Sequence, residues 1–325
     1  MYSAEQLKEI YLNYLERNPF TKAPTNLFEP VDYIMRLGGK RIRPILVLMA
    51  YNLFEKEVQQ ALPIANAIEI FHNFSLVHDD IMDEAPLRRG KPTVHHKYDT
   101  NTGILSGDVM LIYAYKNIAA IQDRTLVPDL IDIFNEVAEA VCVGQQYDMD
   151  FETSVAVTIP AYLKMIEDKT AQLLVGALKM GAVLAKTSAE NVYNLGEFGR
   201  NIGIAFQLQD DFLDTFGDPV KFGKRVGGDI VQNKKTYLVL KTLEVANEQD
   251  QAELRRLMDS YPEDEAAKIE RVKALFTQNR VPSMTEDLMK SFQAKAMSHL
   301  DNVTTQDVRK QALLDLASLL LARKT

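Results

Sequence analysis

At 325 residues, 46% of them hydrophobic, the chain is long enough to bury a large core, as one big domain or two ordinary ones. Its 37 lysines and arginines against 45 aspartates and glutamates leave a net charge of −8, which disfavours a nucleic-acid partner but still allows a small anionic substrate met by local clusters of bases. The single cysteine, Cys142, excludes an internal disulfide and a cysteine-based zinc site, and is expected as a small core residue in a reducing compartment.

The first residues, MYSAEQLKEIYLNYLERN, are amphipathic and charged and lack the apolar block of a secretion signal. No apolar run reaches the ~20 residues of a membrane span. A cytoplasmic, soluble protein is expected. Apolar residues recur three and four apart over 4–17, 44–54, 61–84, 104–121, 126–150, 160–185, 188–216 and 236–246, then in several stretches from 251 onward, which predicts helices. Pro160 suits a first helical turn, and Thr187 with Glu190 has the spacing of a capping box. Strand alternation, hairpin signals between apolar runs and low-complexity linkers are all missing. The expectation is one all-α domain over 1–325. Two loops rich in Gly, Pro and bases interrupt the helices, Ala85 to Gly103 and Gly217 to Lys235.

Each of these loops follows a helix that ends in aspartates, DDIMD at 79–83 and DDFLD at 210–214. At helical spacing Asp79 shares a face with Asp83, and Asp210 with Asp214, like-charge pairs that cost about 0.2–0.5 kcal/mol each even when exposed. Asp80 and Asp211 complete the clusters. One such motif is common on solvated helix faces; two, each closing an otherwise apolar helix, are harder to dismiss. Glu69 and His72 lead along the helix to the first cluster, and Gln207 leads to the second. Polar groups tracking along core-type helices imply a polar wall on a cavity, since a dry core would leave them unsatisfied. Oxygen-only ligation with few carboxylates per helix suits Mg²⁺, which completes its octahedron with water and phosphate oxygens.

The bases point the same way. GGKRIRP at 38–44 presents Lys40 and Arg43 near a helix start, behind two glycines that let the backbone approach a bulky anion. Arg88 and Arg89 offer planar forks for phosphate oxygens, and Lys169, Lys224 and Lys234 are further candidates. Together with the acidic clusters they suit two diphosphates, one held through metal and one through bases. GDPVKFGKR is a near-miss to a P-loop, one residue too long and with Arg225 where Ser or Thr should stand. His72 with His78-Asp79 suggests a His-Asp phosphohydrolase as a rival, but that site needs more histidines spread along the chain.

GGKRIRP, Glu69 and His72 ahead of DDIMD, RRGKPTVH, GQQYDMD, Lys169-Thr170, FQLQDDFLD and GKRVGGDI…NKKT follow one another in an order that resembles the trans-isoprenyl (polyprenyl) diphosphate synthases, over about residues 20 to 240. The resemblance implies an all-α bundle of antiparallel helices around a deep central cavity, in a homodimer. It implies that both aspartate motifs hold an allylic diphosphate through three Mg²⁺, with Asp79, Asp83 and Asp210 as direct ligands and Asp80, Asp211 and Asp214 as ligands or supports. It implies that Arg88, Lys169 and Lys224 touch the allylic diphosphate, and that Lys40, Arg43, His72 and Arg89 bind isopentenyl diphosphate. Thr170 and Gln207 would face the developing cation, and Lys234 would help close its loop.

The implied chemistry is ionisation of the allylic C–O bond, attack by the double bond of isopentenyl diphosphate, and loss of a proton to the released diphosphate. Terpene cyclases usually keep only the first aspartate motif and lack GGKRIRP, and a silent regulatory subunit would be expected to have lost one motif. Phe74 and Ser75, some 6–8 Å deeper along the helix than Asp79 at ~1.5 Å per residue, resemble the floor of short-chain synthases. The products expected are geranylgeranyl or farnesyl diphosphate, with a longer polyprenyl chain as the alternative.

Overall fold

The computed structural model describes residues 2–154, 156–218, 226–260 and 264–321. The described chain is all-α, as the periodicity predicts. The one extended pairing among the described residues is a two-residue ladder, β1 (Leu87–Arg88) antiparallel to β2 (Lys91–Pro92). This small hairpin, a short α5 (Val94–Lys97) and the first residues of α6 (Thr100–Ile118) occupy the stretch expected as a plain loop from Ala85 to Gly103. Contacts divide the chain into two compact units. No helix among the described residues is long and apolar enough to cross a membrane.

The first unit comprises Met1–Glu136, Leu173–Gly196 and Val303–Leu314. Its α1 (Ala4–Arg17) starts at a capping box, Ser3 with Gln6, and buries Leu7, Tyr11 and Leu15 at four-residue intervals. Next, α2 (Thr25–Arg36) lies outside the helical stretches expected from periodicity; it contains Pro30, and the buried stripe of Phe28, Val31, Ile34 and Met35 outweighs the N–H that proline lacks. Core-type helices follow, α3 (Ile42–Asn52) and α4 (Leu62–Met82), packed on each other and, for α4, on α6. Leu48, Ile64, Ile68 and Phe71 have essentially no exposure, and each such side chain contributes roughly 1.5–3 kcal/mol by burial. That packing holds α4 rigid up to its acidic C-terminus.

The second unit comprises Val137–Gln172, Glu197–Asn302 and Asp315–Thr325. It takes the later parts of α7 (Val127–Thr153) and α10 (Ala189–Phe216) and all of α8 (Ile159–Ile166). Thr158 caps α8, with Pro160 in its first turn as expected. A single π turn at Glu167–Ala171 joins α8 to α9 (Gln172–Leu184). One apolar cluster gathers Tyr162, Ile166, Ile204, Leu208 and Tyr237. Another gathers Phe212, Ile230, Leu254, Val272 and Phe276 from α10, α11 (Gly228–Val231), α13 (Glu248–Met258) and α14 (Glu265–Gln278). The remaining helices are α12 (Tyr237–Val245), α15 (Val281–Asp301) and α16 (Asp307–Leu321).

Two local expectations are corrected. The cap of α10 falls on Ser188, whose Oγ accepts from the Asn191 N–H at 3.2 Å, while Thr187 accepts from the Asn191 side chain at 2.7 Å. Cys142 is exposed. The buried stripe of α7 runs through Val137, Val141 and Gly144, which turns position 142 to solvent.

Candidate active site

The first acidic motif occupies the last turn of α4 and its cap, Asp83. The C-terminal end of a helix carries the negative end of its dipole, so carboxylates there are doubly unfavourable until a cation arrives. The three aspartates differ. Asp80 is only 1% exposed and is held by Arg88, whose Nε and Nη2 donate to it at 2.7–2.9 Å. Asp79 is half-buried and Asp83 exposed, so the i, i+4 pair keeps access to solvent. Asp80 thus fixes the orientation of the Arg88 guanidinium.

A basic cluster lies in the same unit. Arg89 donates to the Gly38 carbonyl, and its guanidinium lies 3.0 Å from where a Cβ on Gly39 would be. Gly39 has φ +124°, so both its conformation and its missing side chain are required here. Burial, with Arg43, Arg89, Arg88 and Arg41 nearby, holds the His72 imidazole well below its usual pKa. The neutral ring therefore accepts at Nε2 from Arg43 Nη1, 3.1 Å away. Burial brings Arg43 down to about 10, so it remains charged at pH 7, and its buried Nε has no acceptor. An unpaired guanidinium N–H beside two further arginines is a place for an anion. Lys40 is exposed just before α3. Phe74 packs between Phe71 and His78, and Ser75 donates to the His72 carbonyl at 2.9 Å.

In the second unit, one cavity of about 230 Å³ is lined by Lys169, Thr170, Gln207, Asp210, Asp211, Asp214 and Lys234, every described candidate from that half of the sequence. Lys224 lies outside the described residues. Thr170 donates to Gln207 Oε1 at 3.1 Å, Gln207 Nε2 donates to Asp211 at 2.8 Å, and Tyr162 donates to the other Asp211 oxygen at 2.5 Å. The amide is thereby oriented with its carbonyl toward Thr170. Lys169 pairs with Asp148, and Lys234 lies 3.7 Å from Asp229. Lys169 and Thr170 both stand on the π turn. Its backbone lies so close to α7 that a Cβ on Gly144 would fall 2.3 Å from the Lys169 nitrogen.

Burial pushes the Asp211 carboxyl up to about 8, with Asp229 adding to the rise and the Tyr162 and Gln207 bonds opposing it. An unfolded aspartate titrates near ~3.9. Without divalent ions, the stability contributed by the neutral carboxyl is full below about pH 4 and is lost as the pH climbs through about 8. Urea midpoints in chelator between about pH 5 and 8 are expected to fall for the parent relative to Asp211→Asn; parallel curves would overturn this.

Nine lining residues escaped the sequence reading, among them Asp148, Tyr162, Asp229 and Lys235. Asp148 and Asp229 stand inside quoted motifs, GQQYDMD and GKRVGGDI, and that was their signal. Lys235 stands inside NKKT in the same way, and Tyr162 carried no signal. Among the described residues no three carboxylates or imidazoles close into a ready-made metal cage. The accessible i, i+4 aspartate pairs instead offer one or two carboxylates each, the donor set of a Mg²⁺ that keeps waters and takes phosphate oxygens. The residues fit that ion.

Helices throughout, paired aspartate helix ends and bases poised for anions define an isoprenoid synthase fold. The model of the polyprenyl synthetase family matches residues 24–276, and the chain belongs to that family. It is a prenyltransferase. It is 34% identical over 320 residues to a geranylgeranyl diphosphate synthase of Saccharolobus solfataricus, covering 96% of this chain and 95% of that one. A crystal structure of a geranylgeranyl pyrophosphate synthase superposes with TM-score 0.95 at 42% identity, covering all of both chains. A polyprenyl synthase from Caulobacter crescentus CB15, complexed with calcium and isoprenyl diphosphate, superposes with TM-score 0.86 at 26% identity, over 99% of this chain and 97% of that one. Farnesyl and geranylfarnesyl diphosphate synthases are also among the relatives.

Proposed function

We propose that the protein condenses isopentenyl diphosphate with an allylic diphosphate (dimethylallyl, geranyl or farnesyl) to give geranylgeranyl or farnesyl diphosphate, releasing diphosphate. The observation that carries this reading is the cavity of the second unit, which collects three lysines, five aspartates and an oriented Thr170–Gln207 pair. Polyprenyl synthetases are Mg²⁺-dependent. When bound, Mg²⁺ (three ions by the family pattern) would supply positive charge to the departing diphosphate. Asp79, Asp83 and Asp210 would hold these ions, with Asp214 beside them and Asp80 and Asp211 behind.

The chain's own residues do the rest. Arg88, oriented by Asp80, and Lys169 bind the allylic diphosphate, with Lys224 and Lys234 joining them; Lys169 exchanges Asp148 for phosphate oxygens. Lys40, Arg43, neutral His72 and Arg89 bind isopentenyl diphosphate, filling the unmet hydrogen bond of Arg43. The Thr170 and Gln207 dipoles face the cation formed when the C–O bond breaks. The isopentenyl double bond attacks it, a C–C bond forms, and a proton passes to the free diphosphate. The protein's contribution is alignment and exclusion of water. The chain over 1–325 is taken to act as one catalytic domain, in a cytoplasmic homodimer.

Chromatography of products from isopentenyl diphosphate with each primer, in Mg²⁺ and in chelator, tests this. No product with any primer would refute it. Chain length turns on Phe74, the floor beneath the first aspartate motif: Phe74→Ala is expected to lengthen the product, and an unchanged product spectrum would place the floor elsewhere.

A further inference from the structure

His78 belongs to none of the groups described so far, yet its setting is specific. On α4, Phe71, Phe74 and His78 succeed one another at three and four residues, along one side of the helix. Their rings touch in sequence: Phe71 to Phe74 with centroids 5.5 Å apart, Phe74 to His78 at 4.8 Å and 64°. Beyond Phe71 the chain of rings is anchored, since Phe71 meets Phe134 edge-on at 5.2 Å, and Phe134 meets Tyr115 at 5.0 Å. Tyr115 in turn donates to Asn135 at 2.6 Å. Phe74 is therefore held on one side by a fixed aromatic stack. On the other side its ring meets His78.

The imidazole is itself seated. Gly103 and Gly107, one turn apart on α6, leave a groove in which Ile81 and His78 of α4 lie. A Cβ on Gly107 would fall 2.2 Å from His78 Nε2, and one on Gly103 2.9 Å from Ile81 Cδ1. Within this groove His78 Nε2 lies 3.2 Å from the Ile104 carbonyl. A carbonyl can only accept, so Nε2 carries the proton and donates, which fixes both tautomer and ring orientation. Ring, groove and hydrogen bond leave His78 little freedom, and its edge limits where the Phe74 ring can turn.

We infer that His78, locked into the glycine groove of α6, is a positioning residue for product length, holding the Phe74 ring across the path of the growing chain. This rests on the reading of Phe74 as the floor. Without His78 the Phe74 ring gains a rotamer that opens the path, and elongation proceeds further before the product leaves.

The test compares product-length distributions of the parent, Phe74→Ala, His78→Ala, Gly107→Ala and the His78→Ala/Gly107→Ala double variant, each normalised to its own total product. His78→Ala and Gly107→Ala are each expected to raise the share of longer products several-fold, in the direction of Phe74→Ala. The double variant should match His78→Ala alone, because both changes act through one contact. A purely structural role would lower the yield or the melting temperature and leave the distribution at the parent's. His78→Gln, which keeps a donor for Ile104 but removes the ring, serves if Gly107→Ala does not fold, and is expected to behave as His78→Ala. If Phe74→Ala shifts the distribution and the His78 variants do not, the inference is overturned while the floor stands. If Phe74→Ala also changes nothing, the floor reading itself has failed and takes the inference with it.

Discussion

Replacing Asp79 or Asp210 with alanine is expected to lower turnover by several orders of magnitude while leaving the fold intact or slightly firmer. The two effects have opposite signs because the same charges serve them differently. Without ions, Asp79 repels Asp83 at one helical turn and Asp210 repels Asp214, at about 0.2–0.5 kcal/mol per pair. Asp79 and Asp214 stand in the last turns of their helices, where the dipole adds roughly 0.3–1 kcal/mol against a carboxylate. Deleting one member relieves that strain. With substrate present, the loss removes a Mg²⁺ ligand where the departing diphosphate needs its charge met. Asp80→Ala should behave differently, since Asp80 is 1% exposed and paired with Arg88. There both stability and allylic-substrate binding should suffer. Steady-state kinetics with thermal melts in chelator give both readouts, and near-normal turnover in either Asp79→Ala or Asp210→Ala would remove the metal model.

Glu69→Ala is expected to cost about 3–5 kcal/mol of stability, the range for stranding one partner of a buried ion pair. Arg41 and Glu69 are 4% and 2% exposed and bonded to each other, and Arg41 also donates to the Met35 carbonyl. Asn73 donates to Glu69 at 3.2 Å, so the carboxylate is held from two sides. Arg41 adopts φ 54° at the start of α3, a left-handed conformation that a non-glycine residue keeps only when its surroundings insist. Alanine at 69 would leave a guanidinium in the core with no countercharge. Pairing it with Arg41→Met should recover most of the loss, because the cost is the stranded charge itself. Urea denaturation measures both, and a Glu69→Ala variant within about 1 kcal/mol of the parent would show that water reaches the pair.

Much of this was legible in the chain because it rests on period and charge. The helix carrying DDFLD was expected over 188–216 and is found at Ala189–Phe216, since the 3.6-residue stripe is long and regular there, even though its cap falls on Ser188 rather than Thr187. The helix at Thr25–Arg36 was not legible, as its stability comes from tertiary burial against which Pro30 is a local contradiction. In the site, the spacing of the aspartates gave both clusters, and the second proved to share a cavity with Lys169, Thr170, Gln207 and Lys234. The division of labour within each cluster was hidden, because whether an aspartate faces a cavity or an arginine depends on neighbours distant in sequence. Asp80 is such a case, and so is Asp211, whose partner Tyr162 is 49 residues away. Cys142 failed for a related reason: composition favours burial, and the phase of one helix decides against it.

The wide turn at Glu167–Ala171 sets a limit on how this enzyme's length can drift over generations. It accommodates one residue more than an ordinary turn would. A single-codon deletion anywhere within it would let the helix relax into regular winding. Positions past the turn would keep their phase, because the extra residue is absorbed within it, while the residues of the turn itself would be redistributed over one place fewer. Thr170 would swing away from Gln207, and the ammonium of Lys169 would leave Asp148. A loop elsewhere can lose a residue with little consequence, but here the loss would fall on Lys169 and Thr170, which the turn presents to the cavity.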